Sequence, residues 1–404
     1  MRTWLRAVSG VVAAGAMVVV GATACGSSSA PPANQAVGAV STPAASPTVA
    51  ALPTRKTAVV TIGDSYISGE GGRWNGNTDH LPGDRLGTDR AYDPKDGKYH
   101  PEKVYGASYK NGCNRSDVSE VVSSNIPVDA HINIACSGAE TANIMRSKNG
   151  GEDFKGEPPQ DDQLSALAHA YDIKAVVLSI GGNDLGFASI ISDCATQYIT
   201  MGSTCKGDKQ RSFDKLLPKV QFNVGNVIED VKATMSEAGY AKGSYKLSFQ
   251  SYPIAIPAGA DNRYPQWDRF TRVVLGGCPM YDSDSTWAHD ALGKAISDNW
   301  REIAKKHGVQ FLNLYGALDG HEICAKTDGH STGKPNPKNS EWFRFIVPYG
   351  ITQGDQQESM HPNAYGQQVL GECLRQAYGQ KAQALVCNST LGKFVDGVKV
   401  TQEK

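Results

Sequence analysis

Apolar residues along this chain keep two rhythms that take turns. Residues 58–62 and 175–180 are nearly continuous apolar runs rich in β-branched side chains, as in parallel strands buried on both faces. Residues 131–135 alternate and read as a further strand, as do 245–252 and 309–314. Helical spacing comes between them. Leu164, Leu167 and Ala168 share one face of 161–171, and Leu292, Ile296, Trp300 and Ile303 mark another helix. Leu217, Val220, Val224, Val227, Ile228, Val231 and Met235 recur over a longer stretch, where Pro218 means that the helix starts or bends. Residues 363–376 form the last clear helix. Such alternation predicts an α/β fold, with a parallel sheet covered on both faces. Residues 73–111 keep neither rhythm. They are rich in Gly, Asp, Asn, Tyr and Pro, and loops of that length are usually functional or mobile.

The amino-terminal residues differ in character. Met1-Arg2-Thr3-Trp4-Leu5-Arg6 is basic, and 11–20 is apolar but short for a membrane span, so 1–25 reads as a signal peptide. It closes in Ala22-Thr23-Ala24-Cys25. Ala-x-Ala suits an ordinary signal peptidase. Small residues before Cys25, with Gly26-Ser27-Ser28-Ser29 after it, also resemble a bacterial lipobox with Cys25 lipidated, although Ala22 stands where leucine is usual. Residues 26–56 read as a flexible Ala/Pro/Ser linker, and 57–404 as one domain. The expected location is therefore outside the cytoplasm, as a cell-envelope lipoprotein anchored through Cys25 or as a secreted protein.

There are nine cysteines. Setting Cys25 aside leaves Cys113, Cys136, Cys194, Cys205, Cys278, Cys324, Cys373 and Cys387, an even set that predicts disulfides in an exported protein. About 105 connectivities are open; nearest-neighbour pairing gives 113–136, 194–205, 278–324 and 373–387. The odd total favours lipidation of Cys25 over a stranded thiol.

Composition narrows the partners. The 404 residues are 40% hydrophobic and 20% charged with a formal net charge of −1, so no nucleic-acid partner is expected. Neither Cys-x-x-Cys, Gly-x-Ser-x-Gly, His-Glu-x-x-His nor Gly-x-x-x-x-Gly-Lys occurs. Asp282, Asp284 and Asp290 can be drawn as a calcium set, but Asp284 or Ser285 capping the following helix is the simpler expectation. The reading calls for no metal and no cofactor.

Four separated loops carry candidate chemistry. The run 58–62 delivers Gly63-Asp64-Ser65 to the carboxyl edge of the sheet, where open α/β sheets place ligands. Ser65 is there a nucleophile, given a base, or the cap of the next helix. In Ala135-Cys136-Ser137-Gly138, the bare Gly138 lets its N–H approach a carbonyl, or simply turns the chain. In Gly181-Gly182-Asn183-Asp184, Asn183 can aim an amide N–H at an oxyanion, or Asn183 or Asp184 can cap a helix. His361 stands before Pro362 at a loop–helix junction, suited to reach over the sheet edge as a general base. Glu358, three residues earlier, holds the imidazole in triad fashion, or is a surface carboxylate whose backbone carbonyl does so.

Gly63-Asp64-Ser65, Gly138, Gly182-Asn183-Asp184 and His361-Pro362, in that order, resemble the SGNH (GDSL) hydrolase superfamily, and its secreted actinobacterial esterase/lipase branch most of all. Ser65-Tyr66, Ser68-Gly69-Glu70-Gly71, Cys113-Asn114-Arg115-Ser116, Ala135-Cys136-Ser137-Gly138-Ala139 and Gly186-Phe187 extend the similarity over residues 57–391. The resemblance implies a three-layer α/β/α, flavodoxin-like sheet of about five parallel strands. It implies Ser65 as nucleophile, His361 as base and then acid, and Ser65, Gly138 and Asn183 as the oxyanion hole. Glu358 stands where the family often has aspartate, and some members use a main-chain carbonyl there instead. The implied activity is that of a monomeric exported serine esterase or lipase, working through an acyl-enzyme on a lipid, acylated carbohydrate or small ester. An acyltransferase on the same site and a non-catalytic envelope-binding lipoprotein are the alternatives. The 73–111 insertion and the disulfide-bracketed loops are expected to wall the acyl pocket. Their polarity points to short or medium acyl chains.

Overall fold

The computed structural model describes residues 55–78, 87–330, 335–347 and 356–403. The expected signal peptide, Cys25 and the linker as far as residue 54 lie outside the described residues. Arg55 and Lys56 already touch the domain: Arg55 Nη1 donates to Ala168 O at 2.9 Å, and Asp172 N donates to Lys56 O at 2.9 Å.

Seven strands build the main sheet: β1 (Thr57–Gly63), β2 (Ala130–Asn133), β3 (Asp172–Ser179), β4 (Lys246–Gln250), β5 (Gln310–Asn313), β6 (Ala384–Asn388) and β7 (Lys399–Gln402). They run in the order β2-β1-β3-β4-β5-β6-β7, all neighbours parallel except the β6–β7 pair. The first five keep the flavodoxin-like order, whose ligand crevice opens beside the first strand. The sheet is thus larger than the five strands expected. The extra two are short. In β7 only Val400 is buried, so that edge strand has no apolar run to betray it.

Six helices matter for the site: α1 (Ser65–Ser68), α2 (Gln160–Ala170), α3 (Phe187–Ile199), α4 (Lys206–Glu237), α5 (Lys294–His307) and α6 (Ala364–Tyr378). Alternate residues of a strand face opposite ways. Val60, Ile62, Val176 and Leu178 accordingly pack in a core with Leu164 of α2 and Val224 and Val227 of α4. Val59, Ala175 and Val177 pack instead with Val121 and with Leu374 of α6. The layers are α/β/α.

Helix α4 contains Pro218 instead of starting there. Its amino end is held from outside: Asp284 accepts from Cys205 N at 3.0 Å and Lys206 N at 3.1 Å. The expectation that Asp284 or Ser285 caps the following helix is thereby corrected: both lie inside the helix Asp282–Thr286, which has no side-chain cap, and Asp282 is paired with Arg272 at 2.7 Å. The four disulfides are Cys113–Cys136, Cys194–Cys205, Cys278–Cys324 and Cys373–Cys387, the nearest-neighbour set.

Candidate active site

β1 lies between β2 and β3, one strand in from the edge, and its last residue cannot carry a side chain. Gly63 has φ of +144°, and a Cβ there would stand 2.0 Å from Ser179 O. Its peptide is clamped by Gln160, which accepts from Gly63 N at 2.7 Å and donates to Gly63 O at 2.8 Å. Asp64 then caps α1, accepting from Tyr66 N at 3.2 Å, so the cap is Asp64 and not Ser65. Ser65 is left at the sheet's carboxyl edge with its side chain facing the cleft.

His361 arrives on a loop. Asn363 caps α6 by accepting from Tyr365 N and Gly366 N, which fixes the backbone just after it. Met360 N donates to Arg344 O at 2.8 Å and Arg344 N to His361 O at 2.9 Å, pairing the loop with a neighbouring segment. Gly71 lets the nucleophile loop press against this backbone; a Cβ there would meet Pro362 O at 2.5 Å. The result is a contact of 2.7 Å between His361 Nε2 and Ser65 Oγ. The other ring nitrogen, Nδ1, lies 3.0 Å from Ser359 O. An N–H on Nδ1 leaves Nε2 free to accept the serine proton.

Glu358 departs from expectation. It is neither a surface group nor a partner of the imidazole. Its carboxylate is fully buried, accepting from Trp74 Nε1 at 2.7 Å and Tyr105 OH at 2.8 Å, with Arg73 Nη1 3.9 Å away. The carbonyl at Nδ1 belongs to Ser359, one residue further on. Burial pushes the Glu358 carboxyl up to about 7, against the pull of Arg73 and the two donors.

Gly138 and Asn183 line the same cleft as Ser65. Gly138 has φ of +84°. The backbone N–H groups of Ser65 and Gly138 donate to no protein acceptor among the described residues. Asn183 Nδ2 donates to Ala139 O at 2.9 Å, which ties its loop to that of Gly138. Asp184 strengthens the tie by accepting from Thr141 N at 3.0 Å. Tyr252, which sequence reasoning gave no role, joins two more segments: its hydroxyl accepts from Gly182 N at 3.1 Å and donates to Asp64. Burial pushes the Asp64 carboxyl up to about 7. Lys155 Nζ donates to Gly112 O and Ser137 O, both at 2.6 Å, and desolvation lowers its pKa.

The cleft holds about 500 Å³. Its apolar lining comes from α3, through Phe187, Ile191, Ala195 and Ile199, and from Ile254 and Ile346. Ala195 and Ile199 fall inside the Cys194–Cys205 bracket, as expected of the disulfide loops. The 73–111 insertion does not line the cleft among its described residues. It packs behind the histidine loop, where Trp74 and Tyr105 meet Glu358.

Comparison with known proteins shows what the chain is similar to. The chain is 22% identical over 258 residues to "Esterase" of Streptomyces scabiei, spanning 60% of this chain and 69% of that protein. It is 23% identical over 233 residues to "Lipase 1" of Streptomyces coelicolor, spanning 58% of this chain and 64% of that one, just under two thirds. Among solved structures, an extracellular lipase from Streptomyces rimosus aligns at 19% identity over 80% of this chain and 99% of its own, with a TM-score of 0.48. Residues 61–369 match the sequence pattern of one family throughout, and the chain belongs to that GDSL-like Lipase/Acylhydrolase family.

Proposed function

We propose that this ester hydrolase works through Ser65 and His361, by way of an acyl-enzyme. The observation that carries the reading is the 2.7 Å contact between Ser65 Oγ and His361 Nε2 at the foot of an apolar-walled cleft. Ser65 Oγ attacks the ester carbonyl as His361 Nε2 takes its proton. The carbonyl oxygen becomes an oxyanion, met by the N–H groups of Ser65 and Gly138 and the amide of Asn183. His361 returns the proton to the leaving alcohol. Water then attacks the acyl-enzyme by the same proton path in reverse order, and Ser65 is regenerated. The main-chain carbonyl of Ser359 holds the ring tautomer, so the site is a Ser–His pair without a carboxylate on Nδ1.

The wall built by α3 supports an apolar acyl group as the preferred half of the ester. Four disulfides support an exported protein. A membrane anchor at Cys25 extends that reading. Ser65→Ala is expected to lower kcat for p-nitrophenyl esters by at least about 10⁴-fold and to abolish labelling by a fluorophosphonate. Hydrolysis at the wild-type level in that variant would overturn the assignment. A chain-length series from acetate to palmitate on the wild type then locates the acyl optimum.

A further inference from the structure

The carboxylate beside the imidazole is Glu70. Its Oε2 lies 3.5 Å from His361 Nε2, the nitrogen that also meets the Ser65 hydroxyl. The Glu70 side chain is 3% exposed. Its Oε2 accepts from Ser137 Oγ at 2.6 Å, and its Oε1 accepts from Asn114 Nδ2 at 3.0 Å. No other carboxylate comes within ion-pairing distance of the His361 ring among the described residues. The Ser359 carbonyl on the far nitrogen carries no formal charge. When His361 takes the serine proton, the ring becomes an imidazolium, and its new N–H lies on the edge that Glu70 faces. A carboxylate held there, shielded from bulk solvent, stabilises the charged ring more than the neutral one.

We infer that Glu70 is a positioning residue for His361 that acts through its charge. It supplies, from the nucleophile's own loop, the negative group that a Ser–His pair held by a main-chain carbonyl otherwise lacks. It takes no proton; the proton stays on Nε2 until the leaving alcohol collects it. Through Ser137 and Asn114 the same side chain braces the loop that carries Gly138 and the segment following Cys113. The other charged or titratable groups around the pair are Asp64 and Tyr66 on its own turn, Lys155 on the Ser137 carbonyl, and Tyr252 behind Asp64. Tyr105 touches the Glu70 carbonyl, and Glu358 with Arg73 stands behind it.

The inference rests on the Ser65–His361 reading, so the test includes the wild type and Ser65→Ala beside Glu70→Gln and Glu70→Asp. With a soluble p-nitrophenyl ester, Glu70→Gln is expected to lower kcat about 10²-fold with KM within about threefold. The acid limb of its kcat/KM profile moves to lower pH, because the ring loses a neighbour that favours its protonated form. Glu70→Asp, which keeps the charge, recovers part of kcat. Should Glu70→Gln fail to fold, Ser137→Ala takes its place: it removes a hydrogen bond that solvates the carboxylate's charge, the ring feels that charge more strongly, and the acid limb moves to higher pH. An acid limb that stays put in the variant that folds makes Glu70 only a brace and overturns the inference, as does a Glu70→Gln rate within threefold of wild type. A wild type inert to the ester and to fluorophosphonate would instead sink the Ser65–His361 reading.

Discussion

Ser65 and His361 reach the same point from regions built on different principles. Ser65 follows an interior strand of the sheet, and the peptide before it is locked by main-chain bonds to Ser179 and Cys136 and by the Gln160 side chain. Among the described residues, His361 follows no strand. Its loop is held from behind by polar side chains of the 73–111 insertion: Asn77 donates to Phe343 O at 2.8 Å, Arg344 stacks 3.5 Å over the Trp74 ring, and Trp74 and Tyr105 both reach Glu358. The nucleophile's place therefore comes with the fold. The base's place depends on a buried polar packing that the fold does not require. Damage to the first region ought to cost folding, and damage to the second ought to cost alignment of the imidazole.

The largest expected effect tests the first half of that contrast. Gly63→Ala puts a methyl 2.0 Å from Ser179 O at a φ of +144°, so the two strands have to part. A cost of about 3 kcal/mol or more is expected, read as a fall in Tm, with activity lost only in proportion to the folded fraction. A variant that folds normally yet is inactive would mean that the strand end serves the site and not the sheet. Trp74→Phe tests the second half. It keeps an aromatic ring but removes the indole N–H that donates to Glu358 Oε2, at a cost of about 1–3 kcal/mol for a buried acceptor left short, with a further loss for the buried volume removed. If the insertion aligns the base, kcat falls about tenfold with KM nearly unchanged, since the ring is displaced by less than an ångström. A lowered Tm with kcat intact would break the comparison.

The same contrast governs what could be read from the sequence. The run 58–62 with Gly63-Asp64-Ser65 is legible because local rules suffice: β-branched residues, then a glycine, then polar groups at a strand end. The pairings of Ser65 with His361 and of Gly138 with Asn183 came from the order of motifs and from family resemblance, since no local rule brings residues 65 and 361 together. Glu358 was misread because spacing from the histidine says nothing about which way a loop side chain turns. Here it turns inward to donors some 250 to 280 residues distant in sequence. Helix α3 was legible and missed: Ile190, Ile191, Cys194, Ala195 and Tyr198 are its buried face at helical spacing. Glu70 stood inside a recognised motif, yet nothing in Ser68-Gly69-Glu70-Gly71 announces that a buried acid faces the base. The wall of the cleft was assigned to residues 73–111 because that stretch is long and polar; its polarity is instead what lets it pair with buried groups behind the loop.

The smallest expected effect sharpens the comparison through pH. Burial pushes the Glu358 carboxyl from 4.5 up to about 7. As pH rises past about 4.5, the unfolded chain releases this proton while the folded chain keeps it, so the folded state binds more protons and stability falls with rising pH. The loss accumulates between about 4.5 and about 7 and is constant above, of the order of 3 kcal/mol for this group if its whole shift is expressed. Asp64, Glu120, Asp161 and Glu322 are pushed the same way, so the absolute slope mixes several groups and only the difference between two proteins isolates one. Glu358→Gln cannot ionise. Its Tm is expected to fall less than that of the wild type between about pH 5 and about pH 8. Equal slopes would mean that Arg73 and the two donors keep the carboxylate charged throughout. Because Glu358 touches neither ring nitrogen of His361, kcat at neutral pH should stay within about tenfold of wild type, against the far larger losses expected of a triad acid. A kcat loss of that larger size, with the folded structure intact, would return Glu358 to the catalytic group and leave the two regions no longer distinct.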